Sequence, residues 1–212
     1  MHRMGMRTRQ SLLFGQFNSK YIRCDIATSF DTLTLLMFNL WNMKRPNLIL
    51  SVTGGFDSAL NIQFEKEFIE SVTHVVLGSD AWIFTNGNKN EIGPRLVGET
   101  VYKNRLNLLR NQNSDEKNIY AIGVLNWANI KNRHELIQRE KTQITERVSL
   151  HEQGKFVERK SLNSRQELEP NHTQFILFDD DTREPSYDDR YRAHFVRAVS
   201  SGAQRASNSQ LN

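Results

Sequence analysis

Two short glycine-containing segments have the residue types that bind phosphate or sugar groups. Thr53-Gly54-Gly55 follows the apolar run NLILSV, and Asn86-Gly87 follows AWIFT. Glycine lets the backbone turn sharply and bring its N–H groups close to an anion, and a following helix N-terminus adds positive charge. The Thr53 hydroxyl or the Asn86 amide can bond to a phosphate or a sugar. For Thr53-Gly54-Gly55, taken alone, a plain strand-to-helix turn is favoured, and for Asn86-Gly87 both interpretations remain open.

Four further features have a chemical and a structural interpretation. Lys89 can neutralise a phosphate or lie in a surface turn. Trp127 can stack on a base, but packing against the sheet is favoured. The acids Asp179 to Asp181 can hold a hard cation, but solvated acids at a strand end are more common. For Cys24 we expect a buried, unreactive thiol.

The sequence contains no recognised catalytic or metal-binding motif. G-x-G-x-x-G, Walker A and G-x-S-x-G patterns are absent, and the six histidines have no H-E-x-x-H spacing. The single cysteine excludes an intramolecular disulfide and a multi-cysteine zinc site. We therefore predict no catalytic residue, no metal site and no enzyme activity.

Short apolar strands alternate with amphipathic helices along most of the chain. Strands are predicted at 14–26, 47–53, 81–85, 119–125 and 173–178, of which the last four are expected to be buried. Helices are predicted through TLTLLMFNLWNM (32–43), capped by Ser29 or Asp31 and ended by Pro46, at 61–77, at 92–109 and from about Asp188. The first of these is apolar on nearly every side and is expected to be mostly buried. The alternation predicts an α/β domain with a parallel sheet and helices on both faces.

The ends of the chain and one internal segment differ in composition from the rest. The net charge of +4 arises mostly from three arginines in the first ten residues, so we expect no nucleic-acid binding. We predict a disordered basic tail at 1–13, a domain at 14–200 with a long insertion at 131–170, and a disordered tail at 201–212. No apolar run is long enough to span a membrane, so we expect no membrane insertion.

Four motifs in this order resemble the N-terminal region of melastatin-type (TRPM) cation channels. They are RPNLILSVTGG, AWIFTNG with VGE, IYAIGVLNW and LEPNHTQFILFDDDT, and the resemblance covers about residues 14–198. It implies a SLOG-type, Rossmann-like fold. The family domain continues with a further strand and a G-G-x-x-T loop. We therefore expect a sheet that is incomplete at its C-terminal end, in a fragment, a short isoform or an incomplete gene product.

The resemblance also implies a function. In TRPM channels the domain lies on the cytoplasmic side of the plasma membrane, takes part in tetramer assembly and gating, and in some members binds ADP-ribose or a related nucleotide. The implied ligand-binding residues are Thr53, Gly54, Gly55, Asn86, Gly87, Tyr187 and Arg192. The implied partners are other TRPM-like subunits, in a homo- or heterotetramer of a calcium-permeable channel, with no cofactor other than that nucleotide.

Two alternatives to the channel module remain. A truncated subunit would act only by protein interaction with full-length channels. A SLOG-type nucleotide-processing enzyme is less favoured, because the P-G-G-x-G-T-x-x-E loop of the related phosphoribohydrolases is absent.

Overall fold

The computed structural model describes residues 7–14, 17–53, 61–110, 117–131, 133–136, 166–179 and 185–208. For residues 7–14, 17–18, 134–135, 185–188 and 202–208 it describes the backbone alone. The predicted ligand residues Gly54 and Gly55 and the segment 137–165 lie outside the described residues.

Six strands form one sheet in the order β1-β2-β6-β5-β4-β3. Strands β2 to β6 are mutually parallel, and β1 pairs with β2 in the antiparallel direction. The parallel sheet predicted from the βαβ alternation is therefore confirmed. The strand bounds are β1 Arg7–Phe14, β2 Phe17–Asp25, β3 Ile49–Ser51, β4 Trp82–Thr85, β5 Tyr120–Asn126 and β6 Gln174–Asp179.

In the described part of the chain, four α-helices connect or follow these strands. They are α1 Phe30–Asn39, α2 Ile62–Ser79, α3 Ile92–Arg110 and α4 Pro185–Asn208. Ser29 caps α1 by accepting a hydrogen bond from the Thr32 N–H at 3.2 Å. Asn61 caps α2 in the same way, through the Gln63 N–H at 3.0 Å. Helix α4 begins three residues before its predicted start.

The helices cover both faces of the sheet, as predicted. Helix α1 packs on α4 over one face, and α2 packs on α3 over the other. Successive side chains of a strand point to opposite faces, so Trp82 and Phe84 contact the α1/α4 side while Ile83 contacts the α2/α3 side. Tyr191, Phe195 and Val199 of α4 are buried and Val196 packs against the same core, so these residues form the inward face of the helix.

Two burial predictions are wrong. Helix α1 is not mostly buried, because only one side of it meets α4, and Leu35 remains 59% exposed. It also ends at Asn39, well before Pro46. Strand β3 is not a buried strand. It pairs with β4 on one side only, so its residues are half-buried or exposed.

The predicted tails and insertion also differ from the structure. Part of the expected disordered tail at 1–13 belongs to β1, because Arg7–Phe14 pairs with β2. Helix α4 continues to Asn208 through part of the expected tail at 201–212. The predicted insertion at 131–170 rejoins the core before its end, since Leu168 and Glu169 are buried. The other residues of both tails are outside the described part of the chain.

Candidate functional site

The carboxyl ends of the five parallel strands lie along one edge of the sheet, which we call the carboxyl edge. The residues at or just after these ends are polar: Asp25, Thr53, Thr85, Asn126 and Asp179. Ligands of open parallel sheets bind beyond this edge. Helix α4 also begins here, so its positive N-terminal end faces the same side.

Thr53 is exposed just beyond β3. The preceding Val52 N–H still donates to the Phe84 carbonyl at 2.9 Å, which holds the chain against β4 up to this point. Thr53 is therefore placed at the edge by main-chain pairing while its side chain is open to solvent. Its role as a ligand for phosphate or ribose stays a prediction.

Asn86 lies in a loop that satisfies its own polar groups. Its Oδ1 accepts from the Asn88 N–H at 3.1 Å, and its Nδ2 donates to Glu91 Oε2 at 2.6 Å. Asn88 repeats the pattern with the Asn90 N–H at 3.2 Å and Glu91 Oε1 at 3.2 Å. These bonds favour the turn interpretation for Asn86, because a ligand would have to compete with Glu91.

Gly87 is a glycine because of the packing around it. Its φ of +66° is left-handed, and a Cβ there would lie 2.9 Å from Phe175 Cε1 and 3.1 Å from the Gly123 Cα. The residue is buried. Its bare backbone is therefore used for close contact within the protein.

Lys89 has an acidic partner already. Its Nζ forms an ion pair with Glu167, which also pairs with Lys131 at 2.5 Å. The hydrogen bonds from Lys131 and Lys89 lower the pKa of Glu167 to about 2. The Glu167 carboxylate therefore neutralises the cation that the sequence offered for a phosphate.

A buried chain of polar side chains lies beside this loop, and sequence reasoning missed it. Thr85 Oγ1 lies 2.8 Å from His172 Nε2, and His172 Nδ1 lies 2.8 Å from Glu169 Oε2. In the neutral tautomer in which His172 Nδ1 donates to Glu169, Nε2 accepts from the Thr85 hydroxyl. The order Thr–His–Glu resembles a catalytic triad, but Thr85 and His172 are both fully buried. Substrate has no access to this hydroxyl.

The buried chain instead fastens the segment 169–173 to the loop after β4. The Glu169 carboxylate accepts from the Asn171 N–H at 2.9 Å and the His172 N–H at 3.0 Å. The Glu169 N–H donates to the Gly87 carbonyl at 2.8 Å, and the Gly87 N–H donates to Thr85 Oγ1 at 2.8 Å. The only signal in the sequence was the Glu169–His172 spacing of three residues within LEPNHT.

Arg192 is buried and incompletely bonded. It is 3% exposed, and its Nη2 donates to Asp189 Oδ1 at 2.8 Å. Its Nη1 has no hydrogen-bond partner among the atoms that the structure describes. A buried donor without a partner costs about 1–3 kcal/mol. Arg192 Nη1 is therefore a buried donor that the described residues leave unsatisfied.

Tyr187 lies in the first turn of α4, and its side chain is outside the description. Five residues separate it from Arg192, so the two Cα positions are roughly 140° apart around the helix axis. The structure therefore brings Tyr187 and Arg192 to the same end of α4 but not to one helix face.

Trp127 and Cys24 are both buried and pack within the protein. Trp127 is buried, and the Arg23 guanidinium lies 4.5 Å from its ring centroid, which confirms the packing interpretation. Cys24 is buried as predicted, and burial raises the pKa of its thiol to about 12. The Cys24 thiol is therefore protonated at neutral pH.

No metal or membrane site is found in the described residues. They contain no cluster of three or more metal-ligating side chains. Asp179 forms an ion pair with Arg23, while Asp180, Asp181 and Thr182 lie outside the description. Among the helices the structure describes, none is both long and apolar enough to cross a bilayer.

The parallel sheet, the helices on both faces and the polar carboxyl edge define a Rossmann-like α/β domain. Residues 19–210 match the family described as "SLOG in TRPM". The chain therefore belongs to the SLOG domains of melastatin-type (TRPM) channels, as the sequence motifs indicated.

The relatives are named as channels. The chain is 30% identical to the mouse transient receptor potential cation channel subfamily M member 2 over 169 residues, which is 77% of this chain and 10% of the relative. It is 27% identical to member-like 2 of Nematostella vectensis and to member 1 of the rat, in each case over 79% of this chain and 10% of the relative. The chain thus spans about one tenth of the length of these relatives.

Proposed function

We propose that the chain acts as a regulatory and assembly module of a TRPM-like, calcium-permeable cation channel, on the cytoplasmic side of the plasma membrane. The family match and the names of the relatives support this role. We also propose that it is not an enzyme, because the Thr85–His172–Glu169 chain is sealed within the fold.

We further propose that the carboxyl edge binds ADP-ribose or a related nucleotide. The unpartnered Arg192 Nη1 carries this proposal, because a guanidinium donates strongly to the oxygens of a diphosphate. Thr53 would donate its hydroxyl to a phosphate or ribose, and the backbone of Gly54 and Gly55 would approach the phosphates. Tyr187 lies at the same end of α4. Asn86 and Gly87 would shape the edge, since their polar groups and backbone are engaged within the protein.

The nucleotide proposal is tested by thermal unfolding of the 212-residue chain with ADP-ribose. A ligand at 100 times its Kd adds about 2.7 kcal/mol to the free energy of unfolding. The variants Thr53→Ala and Arg192→Lys should reduce the shift, each compared with its own ligand-free sample. Arg197→Ala is the matched control, because Arg197 is exposed on the same helix. If millimolar ADP-ribose does not change the thermal stability of the chain, the nucleotide proposal is wrong. If the stabilisation by ADP-ribose is unchanged in both variants, the nucleotide binds at a different site.

The assembly role has separate support in exposed apolar side chains. Leu35 on α1 is 59% exposed, and Ile62 and Phe64 at the start of α2 are 84% and 53% exposed. Apolar side chains exposed on helices favour contact with another protein surface. Other TRPM-like subunits, in a homo- or heterotetramer, are the proposed partners, and a truncated subunit would use the same contacts.

Co-purification tests the assembly role. The tagged chain should be recovered with a co-expressed full-length TRPM channel, and a charge at the contact, Phe64→Asp, should reduce recovery. Lys66→Asp, on the same helix, is the control. If the chain is strictly monomeric and does not co-purify with the channel, the assembly role is contradicted. The nucleotide proposal does not depend on this result.

A further inference from the structure

A second cleft lies at the opposite edge of the sheet, at the amino ends of β4 and β5. It has a volume of about 280 Å³ and is lined by Trp82 and Tyr120 at the strand starts and by Asp80 at the end of α2. The segment before β3 contributes Lys44 and Arg45, and the segment before β5 contributes Lys117. None of these residues belongs to the carboxyl edge.

The charges around this amino-edge cleft are unbalanced. Among the residues that the structure describes, three cations and one carboxylate line it, and Asp80 Oδ1 pairs with Lys117 Nζ at 2.7 Å. Lys44 and Arg45 form no ion pair with an acid in the described part of the chain, although Arg45 lies 5.6 Å from the Phe38 ring centroid. The negative end of the α2 dipole opposes the positive charge only in part, since it amounts to about half a charge.

Most other cations of the described residues have acidic partners. Ion pairs are formed by Arg23, Lys66, Lys89, Arg95, Lys103, Lys131 and Arg192. Lys44 and Arg45 are adjacent in sequence, exposed, and part of the lining of a concave site. Charge complementarity predicts an anion there.

The walls of the cleft limit the size and type of the anion. Val76, Ala81 and Trp82 are buried and give a rigid apolar floor, and Asn118 can donate from an amide. Ligand pockets for drug-sized molecules range over about 300–1,000 Å³, so a space of about 280 Å³ suits a compact ligand rather than a whole dinucleotide.

We propose that the amino-edge cleft binds a compact anion with two or more phosphate groups, held by Lys44 and Arg45. Lysine contributes point charges and arginine a forked pair of donors, so together they match several phosphate oxygens. The phosphates can belong to a free polyphosphate compound or to a multiply phosphorylated lipid headgroup, and the test separates the two sources.

The test uses the 212-residue chain and two probes. Inorganic tripolyphosphate is titrated calorimetrically, and phosphatidylcholine vesicles with and without 5% phosphatidylinositol bisphosphate are sedimented with the protein. Binding of tripolyphosphate identifies a free anion, and binding only to the phosphoinositide vesicles identifies a headgroup. Absence of both would overturn the proposal.

Variants locate the binding. Arg45→Met and Lys44→Met remove exposed cations that form no ion pair within the described residues, and each should weaken binding about tenfold. Lys66→Met is the matched control, because Lys66 is an exposed cation far from the cleft in sequence, and it should change affinity less than twofold. Equal losses in all three variants would overturn the proposal as nonspecific attraction. Loss in Arg192→Lys with no loss in Arg45→Met would also overturn it, because the anion would then occupy the carboxyl edge.

Discussion

Gly98 on α3 should be intolerant of a methyl group because of the Glu169 carboxylate. A Cβ at Gly98 would lie 2.1 Å from Glu169 Cδ and Oε2 and 2.3 Å from Oε1. Glu169 is 4% exposed and accepts three bonds from His172 and Asn171 at 2.8–3.0 Å. Gly98→Ala must therefore displace a carboxylate that organises the segment 169–173.

The size of the destabilisation by Gly98→Ala follows from the hydrogen-bond donors that lose the Glu169 carboxylate as their acceptor. Each buried unsatisfied donor costs about 1–3 kcal/mol. These three donors depend on this carboxylate, together with Asn171 Nδ2 at 3.2 Å. Alanine in the helix interior returns about 0.5–1 kcal/mol relative to glycine. Because the structure around Glu169 can relax in part, we expect Gly98→Ala to lower the free energy of unfolding by about 3 kcal/mol.

A double-mutant cycle isolates this contact. Glu169→Ala alone should cost about 3–5 kcal/mol. In that background the space above Gly98 is empty, so adding Gly98→Ala should stabilise the protein by about 0.5–1 kcal/mol. Urea unfolding followed by far-UV circular dichroism gives the four free energies, in a fixed concentration of trimethylamine N-oxide if a single variant is unfolded in water. A cost of Gly98→Ala that is the same in both backgrounds, or below about 1 kcal/mol in the natural one, would refute the contact.

Two further predictions concern titrating groups. The single cysteine, Cys24, should resist a thiol reagent at pH 8 and react after unfolding in urea. Its raised pKa stabilises the fold below pH 9.0, and this contribution is lost as the pH rises towards about 12. Rapid labelling of the folded chain would contradict its burial. The Glu167 carboxylate should titrate near pH 2 by NMR, and Lys131→Met should raise its pKa towards the ordinary 4.5. Its lowered pKa stabilises the fold above pH 4.5, and this contribution is lost as the pH falls to about 2; an unshifted Glu167 would contradict the pairing.

The spacing of apolar residues within single segments was sufficient to predict most of the helices and strands. The apolar runs before Asn86 and Trp127 are short and bounded by turn residues, which predicts buried parallel strands. The spacing of Tyr191, Phe195 and Val199 predicts the inward face of α4. In these cases the burial of each residue depends on a period that can be read within one segment.

The predictions that were wrong depend on contacts between distant segments. An apolar helix such as α1 is buried only where another element covers it, and its composition does not state how many sides are covered. The position of β3 at an edge is likewise a property of strand order. Thr85 and His172 are 87 residues apart in sequence, so no local motif indicates that they meet.

The sequence predicts where the residues of the candidate site lie better than it predicts what each residue contacts. The sequence places Thr53 and Asn86 after strands, and parallel strands bring both to the carboxyl edge. The sequence does not reveal that the Asn86 amide is hydrogen-bonded to Glu91 or that Gly87 packs against Phe175, because both contacts form only when the chain folds.

A structure of the chain with ADP-ribose tests the central claim most directly. The proposal predicts the diphosphate at the carboxyl edge, with an oxygen about 2.9 Å from the now unpartnered Arg192 Nη1 and the hydroxyl of Thr53 in contact with the ligand. A ligand bound elsewhere, with Arg192 Nη1 still unpartnered, or no ligand at a saturating concentration, would contradict the account.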